Sequence, residues 1–214
     1  MARLETKSIL RSMVTVRLSG SSRDILVLGS DAGSVTLVDF GRDDNETHRS
    51  SSAVSAVPRI LHNPIFGKTG CRRDTPGQYL ASDSKGRALM ISATEKRKLV
   101  FVMNRDASGN PTIASPLEAH RARTIVIATV GLDNGYDNPM FGSLEYQYPE
   151  DSEESHDSMV DDDSSVVPKL ELQLAYYELD LGLNHVSRRW ATSPRISSAF
   201  FSIIGIRRSK VNES

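Results

Sequence analysis

The sequence predicts an all-β protein made of antiparallel meanders, and two observations carry that prediction. The first is texture. Short apolar runs alternate with polar clusters that contain a glycine, the pattern of short strands joined by tight turns. The second is a repeat. Ile25–Leu28, the cluster GSDAG (Gly29 to Gly33) and Val35–Phe40 follow one plan; Tyr79–Ala81, the cluster DSKG (Asp83 to Gly86) and Ala88–Ser92 follow the same plan. The two hairpins lie about fifty residues apart, close to the spacing of four-stranded propeller blades.

Taken in order, Val14 and Val16 alternate with Thr15 and Arg17, which favours a strand before the turn Ser19–Ser22. Ile25–Leu28 is continuously apolar, as a strand buried on both faces requires. Residues 41–65 are polar and irregular and read as an inserted loop, mildly apolar between Ala53 and Leu61. After the second hairpin, Glu95–Lys98 reads as a charged turn and Leu99–Met103 as a third strand, which completes a meander. Ala107–Pro111 is a turn, and Pro116 interrupts regular pairing. Ile125–Val130 is strongly β-branched and predicts a strand, with Met140–Tyr146 returning beside it. Residues 147–168 form an acidic loop. Its acids Glu150, Asp151, Glu153, Glu154, Asp157, Asp161, Asp162 and Asp163 repel one another and predict disorder. Lys169–Leu181 resumes as a strand.

Composition excludes several classes. The net charge is −1 over 214 residues, so no bulk field draws the chain to nucleic acid or membrane. Cys71 is the only cysteine, which excludes an intrachain disulfide and a cysteine-based zinc site and fits a reducing compartment. No run approaches a membrane span, and the amino-terminal residues lack the apolar core of a signal peptide.

Chemistry-bearing motifs resolve into ordinary ones. Gly67-Lys68-Thr69 lacks the first P-loop glycine, because His62 stands there. Gly29–Gly33 superficially resembles a nucleophile elbow, but Asp31 occupies the serine position; a hairpin turn with an Asx-type hydrogen bond is the better account. His48, His62, His120, His156 and His185 show no metal-ligand spacing. The acidic run lacks the order and the glycine of an EF-hand, and a basic partner or phosphorylation at Ser152, Ser155 or Ser158 is its minority reading. Asn45-Glu46-Thr47 and Asn212-Glu213-Ser214 match the glycosylation pattern without any sign of secretion. Arg72 and Arg73 can reach phosphate or an acidic partner, or pair with Asp74 or Asp83 within the fold. Basic residues are scattered, without the interleaved aromatics that hold single strands, so protein contact is favoured over direct RNA readout.

Four blocks in order carry a family resemblance: FGKTGCRRDTPGQYLASDSKGRALMISATEKRKLVFVMNRD (Phe66 to Asp106), SPLEAH (Ser115 to His120), YDNPMFGSLE (Tyr136 to Glu145) and YYELDLGLNHV (Tyr176 to Val186). They resemble the amino-terminal β-propeller of the splicing factor 3b subunit 3 (Rse1) family. The wider group includes damaged-DNA-binding protein 1 and the large subunit of the cleavage and polyadenylation specificity factor. The resemblance implies part of a seven-bladed, WD40-like propeller over residues 1–190, left unclosed, with strand edges that favour association. Residues 191–214 read as a tail outside the family, expected from intron read-through or a frame shift.

The resemblance further implies a fragment of a nuclear, non-catalytic scaffold for pre-mRNA splicing. That scaffold holds other subunits of the splicing factor 3b complex, especially the helical-repeat subunit, and meets RNA indirectly through the branch-site ribonucleoprotein. No cofactor, metal, membrane or small-molecule substrate is implied. The structural or interaction candidates in the matched blocks are Cys71, Arg72, Arg73, Gly77, Gly86, Arg87, His120, Glu178, Asp180 and Asn184, with Gly70, Pro76 and Gly182 beside them. Turns and strand-end hydrogen bonds are their expected roles. The alternatives are a propeller adaptor of the DNA-repair and ubiquitin-ligase branch or of the polyadenylation branch, with nucleic-acid association, and more remotely a hydrolase using Asp31, Asp83 and His120.

Overall fold

A computed structural model describes residues 3–40, 58–66, 73–133, 135, 137–148 and 171–193. The acidic segment 150–163, Gly70, Cys71, Arg72 and the tail from residue 194 lie outside them. The described residues form three consecutive antiparallel meanders and no helix.

The first sheet is β1 (Leu10–Val16), β2 (Ile25–Ser30), β3 (Val35–Asp39) and β4 (Arg59–His62), paired in chain order. The second is β5 (Tyr79–Ser82), β6 (Ala88–Ser92), β7 (Lys98–Arg105) and β8 (Pro111–Ile113), with β9 (Leu117–Glu118) also paired to β7. The third is β10 (Thr124–Leu132), β11 (Met140–Gln147), β12 (Glu171–Asp180) and β13 (His185–Thr192). These are three blades of a partial β-propeller.

The reason the central strands read as continuous apolar runs is visible in the packing. Side chains of a strand alternate between its two faces. Along β6 and β7, Leu89, Ile91, Leu99, Phe101 and Met103 join a core with Val16, Ile25, Val27, Val35 and Leu37 of the first sheet. The intervening Ala88, Met90 and Val100 join a second core with Phe141, Ala175, Tyr177 and Leu179 of the third sheet. The second sheet is therefore buried on both sides. Each outer sheet has one face against it and another turned away. On the turned-away faces, Met13 and Ile60 of the first sheet and Val130 and Trp190 of the third are exposed, and Trp190 stacks on Tyr176 at 4.8 Å.

The innermost strand β5 touches both β1 and β10. Hydroxyls tie β5 to β1: Ser12 Oγ donates to the Gly77 carbonyl at 2.8 Å, and Ser82 Oγ to the Thr15 carbonyl at 3.2 Å.

Two expectations are corrected here. Residues 41–65 are not irregular throughout, since Arg59–His62 form β4 against β3. That strand is short and carries Arg59 and His62, so it has no apolar signature. Lys98 is no turn residue; it opens β7 and is buried. The turn after β2 is held by Ser30, whose Oγ accepts the Ser34 N–H at 3.1 Å, while the Asp31 carboxylate lies 3.7 Å from Arg11. The second strand of the carboxy-terminal hairpin, β13, continues past Trp190, as Thr192 pairs with Leu174.

Candidate functional site

Those candidate residues of the matched blocks that are described sit at turns or near strand ends. Asp83 and Arg87 close the β5–β6 turn. Asp83 accepts the Arg87 N–H at 3.1 Å, the Arg87 Nε–H at 2.8 Å and a terminal N–H at 2.9 Å. The same guanidinium also donates to the Asp137 carbonyl, which carries the turn of the second blade to the third. Burial works against the Asp83 carboxylate, but the Arg87 hydrogen bonds and charge outweigh it and hold its pKa below the usual range.

A stability prediction follows from this pair. Arg87→Gln is expected to cost about 1.5–3 kcal/mol at neutral pH, the range for hydrogen bonds to a charged group. Because the folded pKa of Asp83 is depressed, the native pair contributes fully above the unfolded value of about 3.9 and loses its contribution as pH falls through the folded value. The penalty of Arg87→Gln is therefore expected to shrink on acidification. Urea unfolding at pH 7 and pH 3 measures both numbers, and a penalty that persists at pH 3 would assign it to packing instead.

Arg73 pairs with Glu95, not with Asp74 or Asp83; Asp74 lies 3.7 Å from Lys96, and Asp83 is taken by Arg87. Gly77 packs against the Ser30 backbone. Glu178 accepts Asn138 Nδ2–H at 2.7 Å and pairs with Arg189. Asp180 Oδ1 accepts the N–H groups of Gly182 and Leu183, both at 2.9 Å, in the β12–β13 turn. Asn184 ends that turn at φ 50°, a left-handed conformation that asparagine tolerates. His120 Nδ1 lies 3.1 Å from the amide nitrogen and 2.9 Å from the carbonyl oxygen of Lys98, fastening β9 to β7.

Asp31, Asp83 and His120 do not converge. Ser30 meets Gly77 before β5, and Gly86 meets Arg17 beyond its far end. Asp31 and Asp83 therefore stand at opposite ends of β5, roughly 20 Å apart at the rise of an extended strand. No group of acidic residues, histidine and cysteine able to hold a metal occurs among the described residues.

The charged groups that do converge were not singled out from the sequence. Lys98 of β7, Glu145 of β11 and Tyr177 of β12 meet between the second and third blades, each no more than 2% exposed. Lys98 Nζ lies 3.1 Å from Glu145 Oε1, and Tyr177 donates its hydroxyl to the same carboxylate at 3.0 Å. Lys98 Nζ also sits 5.6 Å from the Tyr177 ring centroid. Burial lowers the Lys98 pKa although Glu145 opposes it, and burial with the Glu145 charge raises that of Tyr177. One signal for Glu145 exists in the sequence. It shares a strand face with Phe141 and Ser143, so period-two alternation turns it inward.

Beside this trio, Glu118, His120, Arg121, Tyr177, Val186 and Arg188 line a crevice of about 140 Å³. Arg121 donates a terminal N–H to Gln147 at 3.2 Å, and Arg188 does so to Gln173 at 2.8 Å. The Nε–H of each arginine is buried and finds no hydrogen-bond partner.

Known proteins match this chain along most of its length. It is 47% identical over 183 residues to pre-mRNA-splicing factor prp12 of Schizosaccharomyces pombe, covering 86% of this chain and 14% of that protein. It is 43% identical over 199 residues to pre-mRNA-splicing factor rse1 of Emericella nidulans, covering 92% of this chain and 15% of that protein. Splicing factor 3B subunit 3 of Danio rerio is 43% identical over 188 residues, covering 88% of this chain and 14% of that protein. The chain thus spans a small part of the length of the curated relatives it matches. The family model for the RSE1/DDB1/CPSF1 first beta-propeller matches residues 6–209, which includes the segment beyond Trp190. With three meander blades stacked face to face under a match that runs from the approach to β1 to beyond β13, the chain belongs to the RSE1/DDB1/CPSF1 first beta-propeller family.

Proposed function

We propose that the chain is a structural piece of a nuclear pre-mRNA-splicing subunit and acts as a scaffold rather than a catalyst. The observation that carries this reading is the identity of 41–47% to proteins named as splicing factors, spread over three blades rather than confined to one motif. Within the wider family, that favours the splicing branch over the DNA-repair and polyadenylation branches. The partners of this reading are other subunits of the splicing factor 3b complex, especially the helical-repeat subunit, with RNA met through the ribonucleoprotein. The blades offer rigid turns, and the outer sheets offer apolar faces.

Depleting the gene product is expected to raise intron retention across the transcriptome within one round of transcript turnover. An affinity tag on the chain is expected to recover branch-site ribonucleoprotein. Unchanged splicing, with a defect in DNA repair or in 3′-end cleavage instead, would move the assignment to another branch of the family.

A further inference from the structure

We infer that the recess where the first and second blades meet at their outer strands is a phosphomonoester-binding site, in which Arg23, Arg59 and Arg105 hold a phosphoserine or phosphothreonine of a partner protein. The inference is independent of the splicing reading.

Three separate segments bring these arginines together. Arg23 stands in the turn between β1 and β2, Arg59 opens β4, and Arg105 ends β7. β4 touches β8 across the junction of the two blades, and all three arginines line a recess of about 90 Å³ there. The convergence is close. Arg23 Nη1 lies 3.8 Å and Arg59 Nη2 3.6 Å from the same oxygen, Oδ2 of Asp39. Two nitrogens this near one oxygen are near enough to each other for a single phosphoryl group to meet both. Arg105 is fixed by backbone, as it donates to the Gly109 and Ser19 carbonyls, both at 3.1 Å.

The forks are open to a ligand. The side chains of Arg23 and Arg59 are 61% and 64% exposed and that of Asp39 only 9%, so the acid lies beneath and the guanidinium groups face solvent. At 3.6–3.8 Å neither contact with Asp39 is a hydrogen bond. Exposed pairs of this kind hold their side chains weakly, which leaves both forks free to turn to a stronger acceptor.

Charge selects the ligand. Three arginines against the one acid lining the recess among the described residues leave it at about +2. The bonds of Arg105 go to neutral carbonyls, and the adjacent Asp106 is taken by the N–H groups of Ser108 and Asn110 in its own turn. A phosphomonoester carries about −1.5 to −2 at neutral pH and three acceptor oxygens, one for each fork. A carboxylate or a phosphodiester brings about −1 and leaves the surplus unmatched. Size agrees with charge. The recess admits a phosphoryl group but no nucleotide, and no described residue lining it is aromatic, so a base would find nothing to stack on. A recess that grips the phosphoryl group alone fits a modified side chain presented on a protein surface.

Arginine footprinting of the 214-residue chain tests the site. The chain is treated with phenylglyoxal, and mass spectrometry follows each arginine, with exposed Arg3 as the reference. The probe is N-acetyl-phosphoserine amide, compared with N-acetyl-serine amide, N-acetyl-aspartate amide and the dinucleotide UpU. The phosphoserine probe is expected to slow Arg23, Arg59 and Arg105 together, by about twofold at half saturation, and to leave Arg3 unchanged. The serine probe is expected to protect none of them. The aspartate probe and UpU are expected to need about tenfold higher concentration for the same protection, the equivalent of one charge-assisted hydrogen bond. Arg59→Gln is expected to weaken the protection of Arg23 and Arg105 by about the same factor while Trp190 fluorescence stays native. Should that variant unfold, the three arginines of the unsubstituted chain still decide the question. Absence of protection by the phosphoserine probe, equal slowing of Arg3, or unchanged protection in a folded Arg59→Gln chain overturns the site. Equal protection by UpU or by the aspartate probe overturns its assignment to a phosphomonoester.

Discussion

Glu145→Gln is expected to destabilise the fold by about 3–5 kcal/mol, the cost of stranding one partner of a buried ion pair. For a domain of this size that corresponds to a fall on the order of 10 °C in Tm. Glu145 is the group that satisfies two others: it faces the Lys98 ammonium at 3.1 Å and accepts the Tyr177 hydroxyl at 3.0 Å. With a neutral amide in its place, Lys98 must either keep a charge in an apolar interface or release its proton. The pair itself need not stabilise the protein, because apolar groups of similar volume often replace such pairs without loss. Lys98→Met with Glu145→Leu is therefore expected to recover most of the deficit. Adding Tyr177→Phe is expected to recover the remainder, since that hydroxyl has lost its acceptor.

The pH dependence separates this account from simple loss of packing. The folded pKa of Lys98 is lowered, so between that value and the unfolded value of about 10.4 the unfolded state binds more protons, and stability rises with pH. Without Glu145 to oppose burial the window widens, and the penalty of Glu145→Gln shrinks as pH rises toward it. Tyr177 acts in the opposite sense. Its folded pKa is raised, so stability falls above about pH 10, where the unfolded phenol ionises. Chemical unfolding from pH 7 to pH 10 reads these slopes. A penalty below 1 kcal/mol, or one that is flat with pH, would mean that the interface does not depend on the ion pair.

The blades were legible because their strands obey local rules. Ala88–Ile91 is apolar without interruption, and the structure gives the reason, since the second blade lies between two others and buries both faces. The glycine-ended turns were legible for the same reason, because the chain cannot reverse there without them. What stayed hidden depends on partners distant in sequence. Lys98 looks like the end of a charged turn until the third blade supplies Glu145, forty-seven positions later. Arg121 and Arg188, far apart in sequence, come to line one crevice only when β13 folds back beside β9. β4 escaped notice because a four-residue strand with two polar members has no period to read. Arg73 shows the limit from the other side: its having an acidic partner was foreseeable, with Asp74 or Asp83 as the candidates, and the fold chose Glu95.

Gly86→Ala is expected to be strongly damaging, because two separate costs coincide there. The residue ends the DSKG turn at φ +68°, where an L side chain crowds its own carbonyl at about 1–2 kcal/mol. In addition, a Cβ at this position would overlap the Arg17 carbonyl oxygen and lie 3.0 Å from the Leu18 Cα. Those are backbone atoms of the first blade, so no rotamer relieves the contact; the blades must separate, at about 1–3 kcal/mol for overpacking. The sum is about 2–5 kcal/mol. Gly20 provides the control within the same chain. It has a similar φ of +77°, but its added Cβ would meet nothing within 4 Å. Gly20→Ala is expected to show only the conformational cost, about 1–2 kcal/mol. Urea unfolding of the two variants measures the difference, which is the part of the cost that belongs to contact between blades. If Gly86→Ala is no worse than Gly20→Ala, the first two blades are less tightly seated at this turn than the structure indicates. If it is worse by 1 kcal/mol or more, the glycine of the sequence motif serves the junction between blades as well as the turn it closes.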